Sequence, residues 1–335
     1  MKDTTELKRQ ILEHLRPEYS IAIMSHVEPD GDGFAASIAL QKYFRARGFE
    51  SEIVIDPDSH LERFSFIMND VVLREYVPGL KYDLVFVLDC NSYIRIAERE
   101  QLVRSAKHGI LIDHHVPENG VIKTDFSFVD TSAVSVGAIL WKAIGAEILQ
   151  LSPEQRIPIA ESLYVTILND TNNFVNANTS AEVFAISSEL TECGISPSQL
   201  YKAYFLNHEP LELRYIGEVL STIELHGDDR ILWMNSSLDM QRRNDLTADS
   251  IMNITRWVQG VRGVLAIAYL REEISGTYKL SLRSPVLDVN AVASSFGGGG
   301  HRSASGATIH GELHQIKAEL LAKLGAALAS YTEDA

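Results

Sequence analysis

The sequence predicts an α/β protein with two domains, for three reasons. Its 335 residues are enough for two hydrophobic cores, and 45% hydrophobic with 22% charged residues is typical of globular proteins. In the first half, strand-like apolar runs alternate with helical patterns, which predicts βα units around a mainly parallel sheet with flanking helices. The second half has hairpin and paired-strand patterns, which predict a smaller α/β domain with a mixed sheet.

Short apolar runs and helical periodicity define the elements of the first half. The predicted strands are 20–25, 51–55, 83–89 and 109–113, and the predicted helices are 33–48, 153–168 and 179–193. Two of these helices end at or before a glycine, Gly48 and Gly194, as helix C-termini commonly do. The first 20 residues have the pattern of an amphipathic helix.

The second half is expected to begin after a helical linker. Its predicted elements are a hairpin over 224–235 turning at Gly227-Asp228, a helix over 248–258, strands over 261–272 and 276–284, a glycine cluster over 296–301 and a helix over 313–330. We therefore predict a first domain at 1–195, a helical linker at 196–220 and a second domain at 221–335.

Composition limits the classes of partner. The net charge of −15 argues against a protein that binds long duplex nucleic acid, since such proteins usually present basic surfaces. It does not exclude substrates with a few phosphates. No apolar run approaches the roughly 18 residues of a membrane span, and no signal-peptide pattern is found. The two cysteines, Cys90 and Cys193, suggest buried thiols in a reducing compartment. We predict a cytoplasmic protein without a membrane partner.

Acidic and imidazole side chains follow three predicted strands and one helix. They are His26, Asp30 and Asp32 after the first strand, Asp89 after the third, Asp113, His114 and His115 at the end of the fourth, and Asp170 after the helix over 153–168. Each group alone has a structural interpretation as a turn, a helix N-cap or a buried histidine pair. However, strand carboxyl ends meet at one edge of an open α/β sheet, so their coincidence predicts a functional site there.

These motifs resemble those of the DHH phosphoesterase superfamily. The pattern H-x-x-x-D-x-D is followed by V-L-D, D-H-H and N-D-T, in the order and strand context of that family. The segment LRSPVLDVNAVASSFGGGGHRSASGAT, residues 282–308, is similar to the signature of the DHH-associated C-terminal domain (DHHA1). The matching motifs span nearly the whole chain. The sequence most resembles the NrnA type of this family, which degrades nanoRNA and dephosphorylates 3′-phosphoadenosine 5′-phosphate.

The resemblance implies two cation sites that share one carboxylate. The matching ligands are His26, Asp30 and Asp89 for the first site, and Asp32, Asp89, His114 and Asp170 for the second. Carboxylate-rich sites with one imidazole per ion suit Mn²⁺ better than Zn²⁺, and Mg²⁺ or Co²⁺ stays open. Two such ions can activate a water for attack on phosphorus.

Further roles follow from the same resemblance. Asp113 is expected to fix the tautomer of a histidine, and His115 to donate a hydrogen bond toward the attacked phosphate. A structural hydrogen bond is the alternative for His115. With Asp89, these residues make up the predicted catalytic group.

The glycine cluster is the predicted substrate-binding element of the second domain. Backbone N–H groups of a glycine run can bind an anion, and Arg283 can bind phosphate through two hydrogen bonds. The predicted substrate-binding residues are Arg283, Gly298, Gly299, Gly300, His301 and Ser305, with a turn at Ser305-Gly306. A flexible loop and a surface arginine are the structural alternatives. We expect the substrate to bind in a cleft between the two domains.

Three departures from the family pattern affect these expectations. Ala35-Ala36 replaces a Gly-Ser pair, Asn172-Asn173 follows the fourth acid where the family has D-T-G-x-F, and Ser284-Pro285 follows the arginine. Alanine nearly preserves close helix packing, so we expect cation binding to survive. Asparagine tolerates left-handed backbone, so we expect the turn after Asp170 to persist.

Several functions stay open at this level. The preferred one is hydrolysis of nanoRNA, of linear dinucleotides such as pApA and pGpG, and of 3′-phosphoadenosine 5′-phosphate. The alternatives are a pyrophosphatase or exopolyphosphatase, a cyclic dinucleotide phosphodiesterase and a non-catalytic binding protein. The expected partner is a small nucleotide or short single-stranded oligonucleotide, and a homodimer is compatible with the resemblance.

Overall fold

The computed structural model describes residues 1–57, 59–117, 120–246, 254–300 and 302–331. The chain divides into two units, Met1–Asn207 and His208–Ala335. The predicted linker contributes one helix to each unit. No helix in the described ranges has both the length and the apolar character needed to cross a membrane.

The first unit contains six strands and eight α-helices among its described residues. The strands are β1 Ile21–Met24, β2 Glu52–Ile55, β3 Leu73–Glu75, β4 Leu84–Leu88, β5 His108–Asp113 and β6 Phe126–Val129. The helices are α1 Thr5–His14, α2 Gly33–Ala46, α3 Tyr93–Ile96, α4 Glu100–Ser105, α5 Val136–Ile148, α6 Pro153–Asp170, α7 Ala181–Glu192 and α8 Pro197–Phe205. Short 3₁₀ helices cover Glu62–Ile67 and Ala97–Arg99. The four predicted strands and three predicted helices are confirmed.

The sheet of this unit is parallel throughout, in the order β3-β2-β1-β4-β5-β6. The strand order reverses between β1 and β4, and ligands of open α/β sheets bind beyond the strand carboxyl ends at such a reversal. The topology therefore fixes in advance where a site belongs.

Both faces of this sheet are covered by apolar side chains. In β1, Ile21 and Ile23 belong to one hydrophobic cluster, whereas Ala22 and Met24 belong to the cluster on the opposite face. A strand buried on both sides has a continuous apolar sequence rather than an alternating one. This is why the central strands could be predicted from short apolar runs.

The second unit contains a mixed six-stranded sheet. Its elements are α9 Pro210–Leu220, β7 Glu224–His226, β8 Ile231–Ser236, α10 Leu238–Arg243, a 3₁₀ helix Ile254–Val258, β9 Ala266–Ile274, β10 Thr277–Arg283, α11 Val289–Ser294, β11 Gly299–Gly300, β12 Ala304–His310 and α12 Leu313–Ala329. The order is β11-β12-β10-β9-β8-β7, with β8 and β9 parallel and the other pairs antiparallel. The predicted hairpin is confirmed, with positive φ at Gly227 and Asp228.

Some predicted elements differ from the structure. The predicted turn at Ser305-Gly306 is wrong, because both residues lie within β12, where Gly306 pairs with Ser281 and Gly299. A Cβ at Gly306 would lie 2.7 Å from the Leu280 carbonyl oxygen, so glycine is needed for close strand approach. Most of the predicted helix 248–258 lies outside the described residues, and its described end is a 3₁₀ helix.

Elements that the sequence patterns missed include α5 and the edge strands β3 and β6. In α5, buried side chains occupy most of the positions and two glycines interrupt the pattern, so no polar face marks the helical period. Edge strands of three or four residues are too short for a reliable alternation.

The glycine cluster offers a matched pair of stability variants. A Cβ at Gly298 would lie 2.1 Å from the Gly306 carbonyl oxygen, whereas a Cβ at Gly299 would meet only Asn290 Oδ1, at 3.9 Å. We expect Gly298→Ala to lower the free energy of unfolding by about 1–3 kcal/mol through overpacking. Gly299→Ala should change it by less than about 0.5 kcal/mol. Urea unfolding measures both, and equal stability of the two variants would contradict the packing argument.

Candidate metal centre

The carboxyl ends of the central strands carry three groups of polar residues. His26 follows β1, Asp89 follows β4 directly, and Asp113 is the last residue of β5, with His114 and His115 after it. Asp89 has a left-handed backbone conformation, φ 57°, which is unfavourable for a residue with a Cβ and is commonly retained at functional sites.

Two packed helices supply the remaining acids. Asp32 immediately precedes α2, and Asp170 is the last residue of α6, which packs on α2. Ala35 and Ala36 are fully buried in α2, as expected for small residues at a close helix contact. The Asp30 carboxylate accepts hydrogen bonds from the backbone N–H groups of Asp32 and Gly33, so it shapes the loop that enters α2.

The predicted ligand residues lie together in space. Their ligand atoms form three groups, each within 4.8 Å: His26, Asp30 and Asp89; Asp32, His114 and Asp170; and Asp89, His114 and His115. Asp89 faces both sides of this arrangement, with Oδ2 3.6 Å from His26 Nε2 and Oδ1 3.4 Å from His114 Nε2. One carboxylate can thus serve two cations.

A backbone carbonyl orients His114. Its Nδ1 lies 3.3 Å from the Ala133 carbonyl oxygen, an acceptor, so Nδ1 carries the proton. Nε2 is then the nitrogen that can bind a cation, and it faces Asp170 Oδ2 at 3.3 Å and Asp32 Oδ2 at 3.6 Å. Metal-binding histidines usually have such a partner on the other ring nitrogen.

Asp113 organises the turn that contains both histidines. It is fully buried, and its Oδ1 accepts hydrogen bonds from the backbone N–H groups of His114 and His115 and lies 2.8 Å from His115 Nδ1. Its other oxygen accepts from the Asn91 amide. The Asp113 carboxylate therefore fixes the orientation of the His115 ring.

The N-terminus of α5 holds Asp32. Backbone N–H groups of Val136 and Gly137 donate to the two Asp32 oxygens at 2.7 and 3.2 Å. Helix N-termini stabilise carboxylates in this way. Sequence reasoning missed this contact together with α5, although Ser135 before the apolar run is a recognisable N-cap, and its hydroxyl accepts from Ala138 N.

The asparagine-rich segment after Asp170 forms a left-handed turn. Asn172, Asn173 and Phe174 have φ of 47°, 56° and 64°, which confirms that the turn persists without the family glycine. The side-chain amides of Asn176 and Asn178 donate to the Asp170 carbonyl oxygen at 2.9 and 3.1 Å. Asn176 and Asn178, later in the same segment, thus hold the backbone of a candidate ligand.

The cluster carries more negative charge than the protein alone can stabilise. Burial, reinforced by Asp30 and Asp89, raises the pKa of Asp170 to about 7, despite the opposing effect of His114. Burial also raises the pKa of Asp32 well above its usual value. For His26, burial lowers the pKa, but Asp30 and Asp89 outweigh it and raise the pKa to about 9. Excess protons are therefore held where cations could bind.

Unpaired buried atoms point to the same conclusion. Among the described residues, His26 Nε2 and Asp89 Oδ1 are buried without a hydrogen-bond partner. A buried polar atom without a partner costs free energy, and a divalent cation would satisfy both atoms. The side chain of Asp30 is 43% exposed, so the cluster is accessible from solvent on one side. The donor set fits hard divalent cations.

The second unit contains the other predicted site residues. Arg283 ends β10 and donates to the Leu282 carbonyl oxygen, burial lowers its pKa, and no described carboxylate forms an ion pair with it. Gly299 and Gly300 form β11, next to Gly298. Ser305 is buried and donates its hydroxyl to the Val289 carbonyl oxygen, which gives it a structural role. His301 lies outside the described residues.

Comparison with known proteins shows two family matches. The DHH family, N-terminal domain, matches residues 20–167, and the DHHA1 domain matches residues 236–330. A Thermus thermophilus protein named bifunctional oligoribonuclease and PAP phosphatase NrnA is 30% identical over 312 residues, 91% of this chain and 89% of that protein. The Mycoplasma genitalium protein of the same name is 28% identical over 86% of this chain and 88% of its own length.

A solved structure shares the fold. The crystal structure of an exopolyphosphatase-related protein from Bacteroides fragilis superposes with a TM-score of 0.84 at 23% identity, covering 97% of each chain. At this identity the similarity establishes the architecture.

We expect cation binding to release protons and to strengthen as pH rises. At neutral pH, His26 is protonated and Asp170 is about half protonated, and each must lose its proton to bind a cation. The pKa values of two further ligands, Asp32 and His114, are also raised well above their usual values, so these groups add to the release. More than one proton should therefore be released, and the Mn²⁺ association constant should rise by more than about tenfold per pH unit near neutrality. Calorimetric titration in two buffers with different ionisation enthalpies measures the proton count. Equal heats in both buffers would contradict this prediction.

Proposed function

Because this chain belongs to the DHH family of phosphoesterases and carries a DHHA1 domain, we propose that it hydrolyses short oligonucleotides and 3′-phosphoadenosine 5′-phosphate. The family makes it a metal-dependent hydrolase of phosphoester bonds. The observation that carries the proposal is Asp89, which presents one oxygen to each of two groups of candidate ligands. The names of the curated relatives, an oligoribonuclease and a phosphatase of 3′-phosphoadenosine 5′-phosphate (PAP), support this substrate class, within which we include linear dinucleotides.

The proposed ligands are those that the structure brings together, with His26, Asp30 and Asp89 for one ion and Asp32, Asp89, His114 and Asp170 for the other. Mn²⁺ is the ion that this oxygen-rich set with one imidazole per site favours. When bound, two such ions supply a water nucleophile at neutral pH and neutralise charge that develops on the phosphate.

Residues beyond the ligands must provide much of the phosphate affinity. The four ligand carboxylates match the charge of two divalent ions, so the ligand shell is close to neutral before substrate binds. His115, held by Asp113, is the donor next to the centre that can face the attacked phosphate. Arg283 and the N–H groups of Gly298, Gly299 and Gly300 are the proposed donors from the second unit, together with His301.

The pyrophosphatase and cyclic dinucleotide alternatives use the same metal chemistry, and the named relatives do not favour them. Contacts to the nucleoside separate these functions. Arg283 and His301 should matter for nucleotides and be dispensable for a substrate without a base. We also propose that the protein acts in the cytoplasm, where such short nucleotides arise.

We expect Asp89→Asn to lower kcat by about three orders of magnitude or more, because Asp89 is the one carboxylate among the described residues that belongs to two of the three ligand groups. The bound Mn²⁺ should also fall at both sites, which inductively coupled plasma mass spectrometry after dialysis measures. Asp83→Asn is the matched control, since Asp83 precedes the same strand at its opposite end and pairs with Lys107. Full activity of Asp89→Asn with two bound ions would refute the bridging role.

For metal-stripped protein restored with Mn²⁺, we expect rapid hydrolysis of a linear dinucleotide and of 3′-phosphoadenosine 5′-phosphate, slow hydrolysis of a long RNA and none of pyrophosphate. Arg283→Ala should raise KM for the nucleotides about 10-fold or more, through loss of a charge-assisted hydrogen bond, and leave the Mn²⁺ content unchanged.

Arg230→Ala, which removes an exposed arginine of the same unit, serves as the control for the loss of positive charge. Turnover of pyrophosphate alone would keep the metal centre but overturn the proposed substrate. A normal KM for every nucleotide in the Arg283→Ala variant would exclude Arg283 from substrate binding.

A further inference from the structure

We propose that Tyr204 is a positioning residue for the candidate ligand Asp170, acting through Asn169, and that this pair sets the cation affinity of one of the two ligand groups. The inference rests on the proposed metal centre. All three residues belong to the first unit: Tyr204 lies in α8, while Asn169 and Asp170 end α6.

The three side chains form a continuous hydrogen-bonded chain. The Tyr204 hydroxyl donates to Asn169 Oδ1 at 2.7 Å, and Asn169 Nδ2 donates to Asp170 Oδ1 at 2.8 Å. The chemistry of the two ends fixes this order. In the cation-binding form Asp170 is ionised and only accepts, so the amide nitrogen must face it, and the amide oxygen must then face the phenol, which can donate. Both hydrogen bonds can form in only one orientation of the Asn169 amide.

Because of these hydrogen bonds, the two Asp170 oxygens have different partners. Oδ1 is held by the Asn169 amide, and Oδ2 lies 3.3 Å from His114 Nε2, within the group that also contains Asp32. A carboxylate held at one oxygen cannot rotate freely, so its other oxygen keeps facing the group. Metal ligands are commonly oriented by such hydrogen bonds.

Aromatic packing holds the far end of the chain in place. The Tyr204 ring lies 6.2 Å from Phe64, 6.3 Å from Phe66 and 4.8 Å from Phe205, measured between ring centroids. These contacts involve the faces and edges of the ring. Because the hydroxyl is rigidly attached to the ring, they also fix the position of the hydroxyl. The hydroxyl is therefore presented to Asn169 by a well-packed ring rather than by a mobile side chain.

Gly31 provides an independent observation. A Cβ at Gly31 would lie 2.2 Å from the Tyr204 hydroxyl oxygen and 2.7 Å from Asn169 Oδ1. A side chain at Gly31, in the turn over residues 29–32, would therefore clash with the hydrogen-bonded Tyr204 hydroxyl and Asn169 amide. The loop that carries Asp30 and Asp32 packs directly against the pair.

Tyr204→Phe is the direct test, since it removes the hydroxyl and keeps the ring. Without its donor, the Asn169 amide is free to rotate and no longer holds Asp170 Oδ1. We expect the Mn²⁺ dissociation constant of the Asp32–His114–Asp170 group to rise about tenfold. The dissociation constant of the second ion should stay unchanged. Calorimetric titration and the electron paramagnetic resonance spectrum of bound Mn²⁺ give both constants without relying on turnover.

The matched control is Tyr201→Phe. Tyr201 lies one turn earlier in α8, with its ring 5.3 Å from Phe205, and no described residue hydrogen-bonds to its hydroxyl. This variant should bind both ions as the unmodified protein does. A double-mutant cycle with Asn169→Ala tests the route, since Tyr204→Phe should have no further effect once Asn169 is truncated.

The outcomes separate this inference from the proposed function. If the unmodified protein binds no Mn²⁺, the metal centre itself is wrong. If it binds two ions and Tyr204→Phe binds both equally well, the positioning role alone is overturned. The positioning role would also be overturned if the variant bound both ions more weakly and the metal-stripped protein had a lower melting temperature. That combination is the result of general destabilisation.

Discussion

The crowding of carboxylates at the reversal of strand order is the constraint on which the rest of the first unit depends. Asp32 and Asp89 are almost completely buried, and Asp113 is fully so. Charges in such surroundings are costly unless each is paired with a hydrogen-bond donor, a proton or a cation. The residues around the cluster provide some of these partners. The pKa values of Asp170 and Asp32 are nevertheless raised, which indicates that the protein alone does not provide enough of them.

The protein supplies hydrogen-bond donors to three of these carboxylates. The α5 N-terminus donates to Asp32, backbone N–H groups of the histidine turn donate to Asp113, and the Asn169 amide donates to Asp170. The histidines follow the same principle, because the Ala133 carbonyl sets the tautomer of His114. Donors placed behind the ligands fix their orientation, which is how a rigid scaffold prepares a site for cations.

Asparagine provides the left-handed backbone for which the family pattern has glycine. Asn172 and Asn173 adopt left-handed backbone, while Asn176 and Asn178 donate to the Asp170 carbonyl oxygen. Unlike glycine, asparagine brings an amide that can hydrogen-bond locally while tolerating this conformation. The segment after the fourth acid is therefore tied to the end of α6 by side chains as well as by its backbone.

The sequence by itself determined the parallel sheet and the clustering of the candidate ligands. Strands buried on both faces have continuous apolar sequences, and polar residues that follow such strands must meet at one edge. Tertiary structure decided the rest. The contact between α5 and Asp32 joins residues 104 positions apart, and Tyr204 lies 35 positions from Asn169. Ser305 lies in a strand because β10 pairs with it. Such contacts depend on how helices and strands pack, and packing between distant segments leaves no periodic signal in either segment alone.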